Sequence, residues 1–95
     1  MTQTKTQIIS PVRKILKRHD VKKAELVGSF ARGDHTDDSD IDIVVELADD
    51  TTLLDMAGIQ LELEDELDRE VDLVSYGGVS DRLAEYLFAE TVQII

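Results

Sequence analysis

Acidic and aliphatic residues alternate from Asp40 to Ile43, at the start of a strand-like stretch that runs to Leu47, and this pattern constrains the chain more than any other. Alternation at every second residue is typical of a β-strand with one buried and one accessible face. The aliphatic residues at positions 41, 43 and 45 would then point into a core, while Asp40 and Asp42 share the opposite face. The Cα atoms of residues spaced in this way are about 6.6–6.8 Å apart, so both carboxylates can converge on one cation.

A third carboxylate follows the same rule on another predicted strand. Asp72 lies between Val71 and Leu73, so it faces outward where its two neighbours face inward. Three carboxylates on two adjacent strands suit Mg²⁺, which takes few protein carboxylates together with water and substrate phosphates. Two such ions about 3.5–4 Å apart would favour an in-line displacement that releases pyrophosphate. Each aspartate read alone could equally be a solvent-facing strand residue.

A glycine turn follows the strand-like run Ala24–Val27. Its backbone N–H groups at Gly28 and the hydroxyl of Ser29 suit phosphate oxygens, and Arg32 could add a positive charge. The turn is not a Walker loop, because the residue after its second glycine is Asp34 and not lysine. Taken alone, glycine and serine after a strand are more often a plain turn.

The remaining periodicity predicts an α/β chain with the element order α-β-β-α-β-α-β and short connections. Pro11 leaves open whether the first helix begins near Thr6 or at Ser10 as its cap. The predicted elements are a helix from Thr6 to Arg18, strands Ala24–Val27 and Asp40–Leu47, a loop or helical turn over Arg32–Ser39, a helix from Leu53 to Leu67, a strand Val71–Tyr76, a helix capped by Ser80 that bears Leu83, Leu87 and Phe88, and an edge strand Val92–Ile95.

Composition narrows the classes of function. A chain of 95 residues is long enough for a single domain over residues 1–95. It carries a net charge of −11 and no cysteine, so thiol chemistry is excluded. Residues 1–23 sum to +6 and the remainder to −17, a balance that disfavours nucleic-acid binding by the body of the domain. No stretch is long and apolar enough for a membrane span or a signal peptide, so we expect a cytoplasmic protein with no membrane partner.

The joined motif carries a family resemblance. Gly28-Ser29, Arg32-Gly33 and Ser39-Asp40-x-Asp42 resemble the signature of the polymerase-β-type nucleotidyltransferases. More narrowly, the chain resembles the minimal nucleotidyltransferases, which are commonly encoded with a HEPN partner as a toxin–antitoxin pair. The resemblance covers nearly the whole chain. It implies a small single-domain nucleotidyltransferase fold, with a mixed sheet of three to four strands and helices packed on one face.

The resemblance also implies roles for individual residues. Gly28 and Ser29 would hold the β- and γ-phosphates of ATP, Arg32 would support that turn or contact phosphate, and Ser39 would belong to the nucleotide site. The three metal ligands and catalytic residues would be Asp40, Asp42 and Asp72, with two Mg²⁺ ions bound. Asp72 would also help to deprotonate the acceptor hydroxyl.

Three functions follow as hypotheses. The first is transfer of AMP from ATP to a tyrosine hydroxyl of a HEPN toxin, which is thereby silenced. The second is an antitoxin that neutralises its partner by binding alone, through the basic face of the first helix or the apolar face of the last. The third and weakest is transfer to a small molecule, for which the chain offers little room for an acceptor pocket. The opposite charges of the first helix and the body leave self-association open.

Overall fold

A computed structural model of the chain describes residues 5–95, apart from the side chains of residues 5, 83, 86 and 87. The described part contains four α-helices, four strands and one short 3₁₀ turn. In chain order these are α1 (Lys5–Arg18), β1 (Lys23–Val27), α2 (Gly28–Arg32), β2 (Ile41–Glu46), α3 (Leu53–Leu67), β3 (Val71–Ser75), the 3₁₀ turn (Tyr76–Gly78), α4 (Asp81–Leu87) and β4 (Val92–Gln93). Residues 33–40, which we call the β2 entry loop, lead from α2 into β2.

The four strands form one sheet in the order β3-β2-β1-β4. β2 runs parallel to β3, and β1 runs antiparallel to both β2 and β4. The predicted mixed α/β sheet is therefore confirmed with four strands. The last strand lies at the edge, as predicted, but is only two residues long. The central position of β2 places its residues beside both β1 and β3.

The hydrophobic core lies between one face of the sheet and the helices α1 and α3. Residues at alternate strand positions, such as Leu26, Ile43 and Leu73, supply the sheet side of this core and are buried. The helices supply the other side through Ile8, Val12, Ile15, Leu16, Ile59, Leu63 and Leu67, at the spacing that the sequence predicts. Because the core fixes each strand from one side, the acidic residues between these positions must face the other way.

The first helix begins earlier than the Ser10 alternative allows. α1 starts within the first described residues and continues through Pro11, which is the seventh residue of the helix. A proline at that depth removes one helical hydrogen bond. Ile8, Val12 and Leu16 are fully buried on both sides of it, and this packing outweighs the lost bond.

The glycine turn after β1 is also more regular than predicted. It forms the five-residue helix α2, which ends at Gly33 with φ +82°. Phe30 and Ala31 are fully buried and anchor this helix to the core. Such a run is too short for helical periodicity to show in the sequence. The helix predicted after Ser80 is present as α4, although the predicted apolar side chains of Leu83 and Leu87 lie outside the described part.

Across residues 5–95, none of the helices combines the length and the apolar character that crossing a bilayer requires.

Candidate active site

Asp42 and Asp72 face each other across the parallel strands β2 and β3. The register pairs these two residues directly. Asp42 is half-buried, whereas Asp72 is exposed to solvent. The parity argument from the sequence is thus confirmed for this pair, because both side chains lie on the face opposite the core.

The pKa of Asp42 is set mainly by burial and by neighbouring negative charges. Burial and, after it, the negative charges of Asp72 and Asp40 together raise the pKa of Asp42 from 3.8 to about 6. Arg32 opposes this shift only weakly, as the smallest of the contributions. A carboxyl held this way favours a proton at mildly acidic pH and a cation at neutral pH.

Asp40 lies just before β2, at the end of the entry loop, and is exposed. Its neighbour across the strands is Glu70: the N–H of Ile41 donates to the Glu70 carbonyl at 3.0 Å. The charge of Asp40, together with a hydrogen bond between the two carboxyls, raises the pKa of Glu70. Glu70 is a site residue that the sequence prediction missed. Its spacing from Asp72 repeats that of Asp40 from Asp42, which is the signal that could have found it.

Gly28 opens α2 directly beside this acidic pair. Val27, the residue before it, pairs in register with Asp42. Gly28 has φ +71°, and a Cβ built on it would overlap the Asp42 carboxylate, whose Cγ would lie 3.3 Å away. Glycine is therefore required here both by the backbone conformation and by the close approach of a carboxylate. This contact joins the predicted phosphate turn to the predicted metal site.

The other predicted nucleotide-site residues flank this centre. The Ser29 carbonyl accepts hydrogen bonds from the N–H groups of Gly33 (2.9 Å) and Asp34 (3.1 Å), which close the turn. Arg32 is half-buried, and its Nε lies 3.3 Å from the Asp34 carboxylate. The Ser39 hydroxyl accepts a hydrogen bond from the Thr36 N–H at 2.8 Å and so stabilises the entry loop. The nucleotide roles of these residues stay predictions.

The donor set fits a metal that is completed by substrate. Within residues 5–95 no group of three or more histidine, aspartate or glutamate side chains forms a ready-made metal cage. Mg²⁺ does not require one, because it binds through one or two carboxylates plus water and substrate phosphates. The paired oxygens of Asp42 and Asp72, with Asp40 close enough to act on them electrostatically, meet that requirement.

Comparison with known proteins points to the same chemistry. Residues 9–93 match the family described as nucleotidyltransferase domain. A Methanocaldococcus jannaschii relative with the provisional name protein adenylyltransferase is 38% identical over 81 residues, which are 85% of this chain and 87% of that protein. The protein adenylyltransferase MntA of Thermococcus cleftensis is 29% identical over 82 residues, 86% of this chain and 83% of that protein.

A solved structure described as a toxin–antitoxin with AMP-PNP has a similar fold. Its TM-score is 0.79 at 27% identity, covering 92% of this chain and 72% of that chain. The fold and the acidic pair beside a glycine turn define a nucleotidyltransferase, and the chain belongs to the nucleotidyltransferase domain family. Within that family its similarity lies with the minimal members named protein adenylyltransferases, which confirms the resemblance found in the sequence.

Proposed function

We propose that this protein transfers AMP from ATP to a tyrosine hydroxyl of a HEPN toxin and so acts as the antitoxin of that toxin. The observation that carries the proposal is the pairing of Asp42 with Asp72 directly beside the Gly28 turn. The HEPN partner rests on the sequence resemblance, with support from the similar toxin–antitoxin structure. We propose that the reaction takes place in the cytoplasm.

The Gly28 turn and the acidic pair would bind different phosphates of ATP. Gly28 and Ser29 would bind the β- and γ-phosphates through backbone N–H groups and the serine hydroxyl. Arg32 would add positive charge at the edge of the turn. The α-phosphate would then lie over Asp42 and Asp72, because the Gly28 turn touches the Asp42 carboxylate.

Asp40, Asp42 and Asp72 would hold two Mg²⁺ ions at this position. When bound, Mg²⁺ supplies positive charge to the phosphate oxygens and lowers the pKa of an acceptor hydroxyl. In the transfer, the tyrosine oxygen forms a bond to the α-phosphorus, the bond from that phosphorus to the bridging oxygen breaks, and pyrophosphate leaves. Asp72, the exposed member of the pair, would accept the tyrosine proton.

The experiment is to incubate the protein with its co-purified partner, ATP and Mg²⁺, and to map any added AMP by peptide mass spectrometry. The proposal predicts AMP on a tyrosine of the partner and none after that tyrosine is replaced by phenylalanine. Modification confined to a small molecule, or no modification of the partner, would contradict it.

A second candidate is an antitoxin that neutralises its partner by binding alone. It is favoured by three exposed apolar side chains on α3, those of Leu53, Leu54 and Leu61, which are 86, 83 and 66% exposed. Large exposed apolar side chains are typical of surfaces that bind other proteins. A growth-rescue assay separates the two functions. The double variant Asp40→Asn/Asp42→Asn should lose rescue if AMP transfer neutralises the toxin, and keep it if binding alone does.

A further inference from the structure

Arg69 lies between α3 and β3 and reaches across to the β2 entry loop. Its Nη1 atom is 2.8 Å from the Asp37 carbonyl oxygen, 2.8 Å from that of Ser39 and 3.3 Å from that of Thr36. One guanidinium nitrogen therefore donates to three backbone carbonyls of an eight-residue loop. Because these three carbonyl oxygens accept from the same donor, the hydrogen bonds hold the loop in a closed shape.

The same side chain also contacts α2. The Arg69 guanidinium carbon is 5.2 Å from the centre of the Phe30 ring, a cation–π distance. Phe30 is fully buried and stacks on His35, with ring centres 3.9 Å apart and an angle of 11° between the rings. Arg69 is thus the point at which the α2 turn, the entry loop and the start of β3 meet.

Two of the proposed metal ligands are joined to Arg69 through the backbone. The Ser39 carbonyl, which accepts from Arg69, belongs to the peptide unit that leads into Asp40. On the other side, Glu70 follows Arg69 and its carbonyl binds the Ile41 N–H, so β2 and β3 are aligned at this point. Asp72 is two residues further along β3.

The negative charge of the entry loop opposes its closed shape, so a favourable contact is needed to hold the loop. The entry loop contains four aspartates, at positions 34, 37, 38 and 40, and it leads to a site with three further carboxylates, those of Asp42, Glu70 and Asp72. Mutual repulsion favours an open loop, and an open loop would carry Asp40 away from Asp42. A guanidinium that binds the loop carbonyls supplies both hydrogen bonds and opposite charge at short range.

We propose that Arg69 is a positioning residue that holds Asp40 beside Asp42 and Asp72, so that the three carboxylates can bind divalent ions together. The inference rests on the proposed metal site. Arg69 acts through the backbone of the entry loop, whose three carbonyl oxygens all accept from its Nη1 atom.

The test compares Arg69→Met with Arg13→Met. Arg13 is a matched control, because its guanidinium also donates to a backbone carbonyl, that of Ile94 at 2.7 Å, but on another part of the molecule. Each variant is titrated with Mn²⁺ by calorimetry, and hydrogen exchange is measured for the amides of residues 34–41. Arg69→Lys is measured in the same way as the conservative variant.

We expect Arg69→Met to weaken Mn²⁺ affinity at least tenfold and to speed exchange in the entry loop, with partial recovery of both in Arg69→Lys. Arg13→Met should lower Tm without changing either readout. Mn²⁺ affinity of Arg69→Met within twofold of wild type, or equal weakening by Arg13→Met, would overturn the inference. If Arg69→Met does not fold, the same limits apply to Arg69→Lys.

The design also separates this inference from the proposed function. A wild-type protein that fails to bind Mn²⁺ would contradict the proposed metal site itself. Hydrogen exchange in the entry loop would then be the remaining test of the positioning role of Arg69. Unchanged protection of the loop in Arg69→Met would overturn that role.

Discussion

Asp42 and Asp72 are register partners on parallel strands, and burial together with the charge of Asp72 raises the pKa of Asp42. In the metal-free protein, Asp42 therefore favours a proton at mildly acidic pH, although its proposed ligand role requires deprotonation. Removing one negative charge should therefore stabilise the metal-free protein while it abolishes ion binding. Ion binding thus requires the same negative charge that destabilises the metal-free protein.

The first prediction concerns stability in EDTA. The pKa of Asp42 is about 6 in the folded protein and 3.8 without these neighbours, so the folded state binds more protons between those values. The contribution of Asp42 to the free energy of unfolding must then fall as pH rises from about 4 to about 6, and stay low above that range. Asp42→Asn cannot titrate and should unfold at a higher temperature than wild type at pH 7–8.

Thermal unfolding of both proteins from pH 4 to pH 8 checks this prediction. The Tm difference between Asp42→Asn and wild type should grow with rising pH and level off above about pH 6. A difference that is independent of pH would show that Asp42 has an ordinary pKa. Comparing the two proteins removes the opposite contributions of carboxyls with lowered pKa, such as Glu62 and Asp55.

The second prediction uses two glycines with the same backbone preference. Gly28 and Gly33 have φ +71° and +82°, but only Gly28 has a neighbour that a Cβ would strike. Replacement of either by alanine should cost about 1–2 kcal/mol from the left-handed conformation. Gly28→Ala should in addition displace the Asp42 carboxylate and lower AMP transfer at least tenfold.

Denaturant unfolding and initial transfer rates measure the two effects separately. Gly33→Ala is the control, since it should lose stability and keep its transfer rate after correction for the folded fraction. Equal loss of activity in both variants would mean that the contact between Gly28 and Asp42 has no part in the reaction.

The alternation of inward and outward strand residues predicts the site better than the glycine–serine motif does. Asp40, Asp42 and Asp72 could be placed on one face because the core residues between them alternate so regularly. Parity cannot reveal Arg69, because its role depends on a fold that brings the α3–β3 turn against a loop about 30 residues earlier in the chain. The close approach of Gly28 to Asp42 was equally hidden, since it follows from the antiparallel register of β1 and β2.

Helix boundaries also depend on tertiary packing that the sequence alone does not reveal. The capping box of α3 uses Thr52 and Asp55, although residues 49–51 just before them can also cap a helix. Several adjacent residues there, aspartates and threonines, can all cap a helix, so local chemistry leaves the starting residue open. Packing of Ile59 and Leu63 on the sheet selects one of them.

The third prediction concerns a hydrogen bond that spans the sheet. The Tyr76 hydroxyl donates to Glu25 at 2.7 Å, linking the 3₁₀ turn after β3 to β1, and this bond is the largest cause of the lowered pKa of Glu25. Tyr76→Phe should destabilise the protein by about 1.5–3 kcal/mol at pH 7, since the acceptor is charged.

That cost should depend on pH in a defined direction. A lowered carboxyl pKa contributes stability above the unfolded value of about 4.5, and that stability is lost as pH falls through the lower folded value. Urea unfolding of wild type and Tyr76→Phe at pH 7 and pH 3 measures the change. An equal difference at both pH values would show that the bond does not involve the ionised carboxylate.

The fourth prediction concerns removal of metal. The body of the domain from residue 24 onward carries −17, of which the three site aspartates are a small part, so a bare triphosphate meets strong repulsion. ATP affinity measured by calorimetry should fall at least tenfold when EDTA replaces Mg²⁺. Equal affinity under both conditions would contradict the proposed role of the carboxylates in holding the ions.

The most direct measurement of the central claim is transfer of label from α-³²P-ATP to the co-purified partner, with wild type, Asp42→Asn and Glu46→Gln compared side by side. Glu46 is the control because it is an exposed acid on the same strand and the same parity as Asp42, away from Asp72. Loss of several kcal/mol of charge stabilisation predicts that Asp42→Asn labels the partner at least about 100-fold more slowly, while Glu46→Gln labels it at the wild-type rate. Labelling by Asp42→Asn at the wild-type rate, or no labelling by wild type, would contradict the account.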